Sequence, residues 1–388
     1  RLTKVGYFSC KKARSPSVFA LTMKISLFVS AFFLKRMLPV AAALALTPGI
    51  ASAFELVLGA PKTEEVIVPF SVDFDAEGNL YGVEFEGGHR VFKLSSAGEF
   101  SFLGGQKNVT APKEDNGKGD GGPIADALFS GMHDLKVTKA GQVYLADSWV
   151  GRLRHYDPKT GLVNTIAGTG KKGDSGDEGP ADKADMNLLF ACDLSPDESL
   201  IYLVDIGSRR VRSMDLNQGT IHAFAGTGKK GRPEEGGKAV EQPLMNPRAV
   251  AADPTSEKVY IVDRDNHSLL LVEADGTLKT VVNSAGKKGA TGDGGPALEA
   301  TMNGPKHATV DLQGRVIIAD AENHVIRRYD PASGKIELLA GTPGKKGNLL
   351  TTDKVELNRP HGVRLSRDGK TLYIVDSYNN RVLRTAYE

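Results

Sequence analysis

Two histidines stand at matching places in similar stretches, His133 in GMHDLKV and His361 in RPHGVRL. The chain has only eight histidines in 388 residues, so the coincidence calls for a reason. The same place in NPRAV holds Arg248, and in GPKHA it holds Lys306, with His307 directly after it. Asp134 follows His133 in the same way. Ionisable groups that converge on a concavity are the usual basis of a site. Two imidazoles with a third nitrogen from His307 would suit zinc, which takes three protein ligands and keeps one position open. Arg248 cannot give up its proton to join such a set. Two imidazoles beside Arg248 and Lys306 suit a carboxylate or phosphate better, through charge-assisted hydrogen bonds. His307 lies one residue out of register, so it is expected at the same mouth but pointing differently from the other two histidines.

These residues meet only if the chain repeats and closes on itself. Six segments resemble one another: LYGVEFEGGHRVFKL, VYLADSWVGRLRHYD, IYLVDIGSRRVRSMD, VYIVDRDNHSLLLVE, VIIADAENHVIRRYD and LYIVDSYNNRVLRTA. The acid ending each first run is Glu84, Asp147, Asp205, Asp263, Asp320 or Asp376, a period near 57 residues. Each unit reads as four short β-type runs punctuated by Gly, Asp and Asn. Six units of four strands predict an all-β, six-bladed propeller. The last unit stops after its third strand, and FELVLGAP (54–61) matches KIELLAGTPG (335–344). The segment 54–59 is therefore expected to supply the outer strand of the last blade, with Phe54, Leu56 and Leu58 on one face.

The first strand of each blade is innermost, so its start opens on the channel. His133, Arg248 and His361 belong to blades two, four and six, a third of a turn apart. The two histidines are expected to face each other across the mouth. Trp149, the only tryptophan, lies two residues after Asp147, and Tyr378 lies two after Asp376. Both are expected to wall the same mouth. The ring of acids could bind calcium. A short acceptor before a tight turn more often bonds the turn's own backbone N–H groups, and that is the expected role.

Charge narrows the partners. Residues 1–53 hold eight Lys or Arg and no Asp or Glu, leaving 41 basic against 47 acidic residues beyond them, a net charge of −6. An acidic folded part argues against nucleic acid as the main partner. Residues 1–22 read as upstream or leader sequence. Residues 23–53 read as an export signal: Lys35-Arg36, the apolar run LPVAAALAL, then Ala51-Ser52-Ala53. The apolar run is too short for a membrane span and is flanked by Pro39 and Pro48. The expectation is a monomeric propeller at 54–388, secreted or periplasmic, or else in an organelle lumen through a two-part presequence. Beyond residue 53 Cys192 is the only cysteine, so no disulfide forms within that part.

The Tyr-x-x-Asp turns, the AGTGKKG connectors and the GDGGPA and MNGP stretches resemble NHL-repeat propellers over residues 54–388. That resemblance implies the fold, and such propellers host binders and several enzyme types. GMHDL and RPHGV also resemble strand starts of the zinc lyases that cleave peptidyl-α-hydroxyglycine. Lactone-hydrolysing propellers, which set carboxylates and an Asn around a divalent metal, would by resemblance recruit Glu84, Asp263, Asn266 and Asp320. The leading expectation is a small anionic ligand or a protein or peptide partner at the mouth, with no committed cofactor. The alternative is a zinc- or calcium-dependent lyase or hydrolase using the same mouth.

Overall fold

The computed structural model describes residues 53–59, 66–111 and 117–388. The leader and all but the last residue of the export signal lie outside them. No described helix is long and apolar enough to cross a membrane. The described chain is β-structure with short 3-10 turns, arranged as six antiparallel sheets in chain order.

The first strands are Pro69–Phe74, Asp134–Val137, Leu189–Leu194, Pro247–Ala252, His307–Val310 and Gly362–Leu365. Each touches the first strands of both neighbours, and the sixth touches the first, so the ring closes around a central channel. The second strands are buried along nearly their whole length, as in VYLAD (143–147) and VYIVD (259–263). They are covered on both faces by adjacent blades, so they read as continuous apolar runs rather than as alternation.

Closure follows the expected route. Glu55–Leu58 pairs antiparallel with Arg381–Ala386 and completes the sixth blade. An irregularity between Leu56 and Leu58 changes the expected facing. Leu58 is fully buried and Val57 nearly so, whereas Phe54 and Leu56 are half-buried. An ion pair between Arg384 Nη2 and Glu55 Oε2, 2.6 Å, fixes the outer edge.

Two blades exceed the expected four strands. Gly122–Pro123 adds to the fourth strand of blade two, and Gly179–Pro180 does the same in blade three. Connectors between blades, including the one that carries Gly122–Pro123, are pinned by arginines buried in third strands. Arg154 binds Asp120 Oδ1 (2.7 Å) and the carbonyls of Lys118 and Leu128. Arg327 binds Asp293 Oδ1 (2.8 Å) and the carbonyls of Thr291 and Thr301. A guanidinium fits here because its five donors meet several acceptors at once. The Gly-rich connectors are thus held to the blade that follows them.

Candidate functional site

Every first strand opens with the same irregularity. In blade two, the His133 N–H donates to Ala146 O while Asp134 stands opposite the same Ala146. Lys306 and His307 share Ala319 in this way, and His361 and Gly362 share Val375. Register shifts at Phe70, Phe190 and Arg248 mark the same two-against-one pairing. This is a β-bulge repeated around the ring. A bulge re-aims side chains, so successive residues can serve one face. His307 therefore reaches the channel although it stands one residue out of register with the other two histidines.

The bulge residues form the outermost layer: Phe70, His133, Phe190, Arg248, Lys306 and His361. They pack as a plug. His361 stacks on Phe70 with centroids 4.0 Å apart, and Phe70 meets His133 edge-on at 5.0 Å. His133 stacks on Phe190 at 3.8 Å, and the Arg248 guanidinium lies 4.1 Å over the Phe190 ring. Lys306 Nζ donates to His361 Nε2 over 3.0 Å. The two histidines thus do not face each other across an open mouth, because the Phe70 ring lies between them.

Their tautomers follow from their partners. His133 Nδ1 lies 2.7 Å from Gly131 O, and His361 Nδ1 lies 2.9 Å from Arg359 O. A carbonyl only accepts, so Nδ1 carries the proton in both and Nε2 is an acceptor. Burial pushes both well below the ordinary histidine range. Arg248 adds to that at His133, and Lys306 and Arg248 add to it at His361. Neutral imidazoles with Nε2 lone pairs offer no N–H to an anion.

The two cations remain. Burial brings Arg248 down to about 9, helped by the nearby Arg264 charge. Burial brings Lys306 down to about 8, although Glu322, 2.9 Å from Nζ, works the other way. Arg248 Nη1 is buried and has no hydrogen-bond partner among the described residues. Zinc fits poorly here. His361 Nε2 is occupied by Lys306, a phenyl ring separates the histidines, and two cations stand beside them. Among the described residues no group of three His, Cys, Asp or Glu is placed to hold a metal ion.

A second layer lies directly inside the plug. Ser71 Oγ donates to Asp134 Oδ1 at 2.6 Å, and Cys192 N–H donates to Oδ2 at 3.1 Å. His307 Nε2, from the opposite blade, lies 3.7 Å from Asp134 Oδ1. Gly362 completes the layer, and a Cβ there would come 2.6 Å from Phe70 O. Two residues further along the strands sits a buried ionic group that the sequence reading missed. Arg364 grips Asp73 through Nε (2.7 Å) and Nη2 (3.0 Å), and fully buried Lys136 lies 3.7 Å from Asp193. The period-2 spacing 71-73, 134-136, 191-193 and 362-364 was the available signal. A cavity of about 350 Å³ lined by Asp73, Asp193, Arg364 and Arg367 opens from this end.

Trp149 and Tyr378 rise on the mouth side, 39% and 45% exposed. Trp149 meets Phe85 and His89 at 5.6 and 5.4 Å, and lines a cavity of about 420 Å³. Gly131 passes beneath its indole, where any side chain would collide with the ring. Tyr378 lies 5.6 Å from His361, with the Arg359 guanidinium at 5.6 Å. The acids at the strand ends accept backbone N–H groups. Asp147 takes Ser130, Asp263 takes Asn246, Asp320 takes Asn303 and Asp376 takes Asn358, at 2.6 to 2.8 Å. These donors precede the first strand of the same blade rather than belonging to the turn after the acid. Asp205 also bonds Ser208 of its own turn.

The family model for the NHL repeat matches residues 357–384, the three described strands of blade six that precede closure. The chain is 23% identical over 351 residues to NHL repeat-containing protein 2 of Gallus gallus, covering 82% of this chain and 46% of that one. It thus spans about half the length of the curated relatives it matches. An auxiliary nutrient binding protein from Bacteroides ovatus superposes with a TM-score of 0.61 at 14% identity, covering 87% of this chain and 77% of that one. Virginiamycin B lyase from Staphylococcus aureus does so at 0.50 and 10% identity, covering 87% and 99%. These two likenesses are likenesses of fold. The chain is a six-bladed β-propeller that carries an NHL repeat.

Proposed function

We propose that this propeller is an exported binding protein that holds a small anionic ligand on the mouth face, with Arg248 as its anchor. One observation carries the reading. Arg248 Nη1 is buried with no hydrogen-bond partner among the described residues. An unpaired buried donor costs on the order of 1–3 kcal/mol, more when charged, and a bound carboxylate or phosphate relieves that cost. Phe190 beneath the guanidinium fixes its plane, and Lys306 adds a second positive charge. The basic, apolar and small-residue order of 23–53 supports export, with cleavage after Ala53 and the propeller at 54–388. A binding role is in keeping with the fold shared with the auxiliary nutrient binding protein of Bacteroides ovatus.

Calorimetric titration with inorganic phosphate, succinate and benzoate tests the reading. At least one should bind in a 1:1 ratio and weaken as salt rises. No heat from any of them, with the Arg248→Gln protein behaving identically, would refute it.

A further inference from the structure

A cavity larger than the two described above lies away from the mouth. A groove of about 820 Å³ opens between blades three and four, beside the hairpin turns at 195–200, 254–257 and 273–276. These turns join first to second and third to fourth strands, so the groove lies on the face opposite the bulges. Its size falls within that of sites for organic ligands of a few hundred daltons.

The floor is apolar and partly aromatic. Tyr202 and Phe224 meet at 4.7 Å with their planes at 56°, and Val272 lies beside them. Val240, on the 3-10 turn at the lip, is 44% exposed. An exposed aliphatic side chain beside an apolar hollow lowers its free energy when a ligand covers it.

The rim is acidic. Asp197, Glu241, Glu257, Glu273 and Asp275 line it, against a single lysine, Lys238. Lys238 Nζ is turned onto the backbone carbonyl of Asp275 at 2.6 Å. Glu273 pairs with Lys279 at 3.1 Å, whereas Glu241 and Glu257 take part in no described ion pair. Tyr202 reports the local field: its hydroxyl is held above the ordinary range by burial, then by Asp197, Asp193 and Glu257. An aromatic floor under unneutralised carboxylates attracts a cation twice, through Coulomb's law and through the ring faces.

We propose that this groove is a second binding site, for a small organic cation that joins an ammonium group to an apolar ring or chain. The apolar body lies on Tyr202 and Phe224, and the ammonium meets Glu241 and Glu257. The site is separate from the mouth and opposite to it in charge preference.

Three isosteric probes test this by ligand-observed NMR and calorimetry: phenethylamine, 2-phenylethanol and phenylacetate. Phenethylamine should bind at least ten-fold more tightly than 2-phenylethanol, and phenylacetate should not compete with it. The double variant Glu241→Gln, Glu257→Gln should weaken phenethylamine five-fold or more, and 0.5 M salt should weaken it similarly. Val240→Lys, a change at an exposed position, should place an ammonium over the hollow and abolish binding. Arg248→Gln should change nothing here. Equal affinity for amine and alcohol, or a double variant within two-fold of the parent, would overturn the proposal. So would phenethylamine binding that Val240→Lys leaves intact, or no phenethylamine binding at all.

Discussion

His307 of blade five and Asp134 of blade two lie across the channel from each other, with Nε2 3.7 Å from Oδ1. Val363 N–H donates to His307 Nδ1 at 3.4 Å, so in the neutral ring Nε2 carries the proton and directs it at Asp134. Burial would raise the Asp134 carboxyl, but Lys136, His307 and Ser71 together pull it below the usual range. Its charge therefore belongs to the folded state.

Asp134→Asn should destabilise the protein by roughly 3 kcal/mol, because it removes one of the two carboxylates, with Asp193, that neutralise buried Lys136. A carboxyl with a depressed folded pKa stabilises above its unfolded pKa of about 3.9, and that stability is lost as pH falls through the folded value. The parent should thus lose stability more steeply than Asp134→Asn in urea unfolding curves taken from pH 5 down to pH 3. Parallel curves would contradict this.

Closure offers a second check. Leu58 is fully buried and packs with Phe92 and Val382 in one cluster. Leu58→Ala should cost about 3 kcal/mol. Glu55→Ala, at an exposed ion pair, should cost well under 1 kcal/mol. Equal effects would mean that the strand is not part of the cooperative fold.

The pinning arginines predict a third result. Arg327 is buried and meets Asp293, Thr291 O and Thr301 O, with Asp320 at 3.4 Å. Arg327→Met should destabilise by about 3–5 kcal/mol, because Asp293 and Asp320 lose their cation and two carbonyls lose a donor. The connector at 284–300 should become the first site of limited proteolysis. Cleavage elsewhere first would contradict the pinning role.

The fold was legible in the sequence because a period near 57 repeats the same local chemistry six times. The LYIVD-type runs mark buried strands, and FELVL marks the missing one. The site was half legible. The strand-start residues were recognisable from register alone. What they do together was not, because it depends on the bulge and on Phe70 and Phe190, which read as ordinary apolar residues. These rings fill the mouth and turn His133 and His361 into buried neutral groups. Asp73, Lys136, Asp193 and Arg364 were missed because alternating charges in a strand ordinarily signal a solvent face. In a propeller the inner edge is such a face turned inward.

Anion binding should depend on pH through the cations, not through the histidines. Both histidines are pushed well below 6.5 by burial and neighbouring positive charge, so affinity should be flat between pH 6 and pH 7. Lys306 is brought down to about 8, and a cation is charged below its pKa. Affinity should therefore fall as pH rises through 8, and Lys306→Met should remove that fall. A rise in affinity as pH drops from 7 to 6 would show that the histidines titrate in that window instead.

The most direct measurement compares Arg248 variants by calorimetry against whichever of phosphate, succinate or benzoate binds the parent protein. Arg248→Gln removes the buried guanidinium, and Arg248→Lys keeps a charge while losing the planar fork. The expected result is a loss of affinity of a hundred-fold or more for Arg248→Gln. For Arg248→Lys the expected loss is at least ten-fold, at unchanged thermal stability. Binding within two-fold of the parent in both variants would contradict the assignment of Arg248 as the anchor.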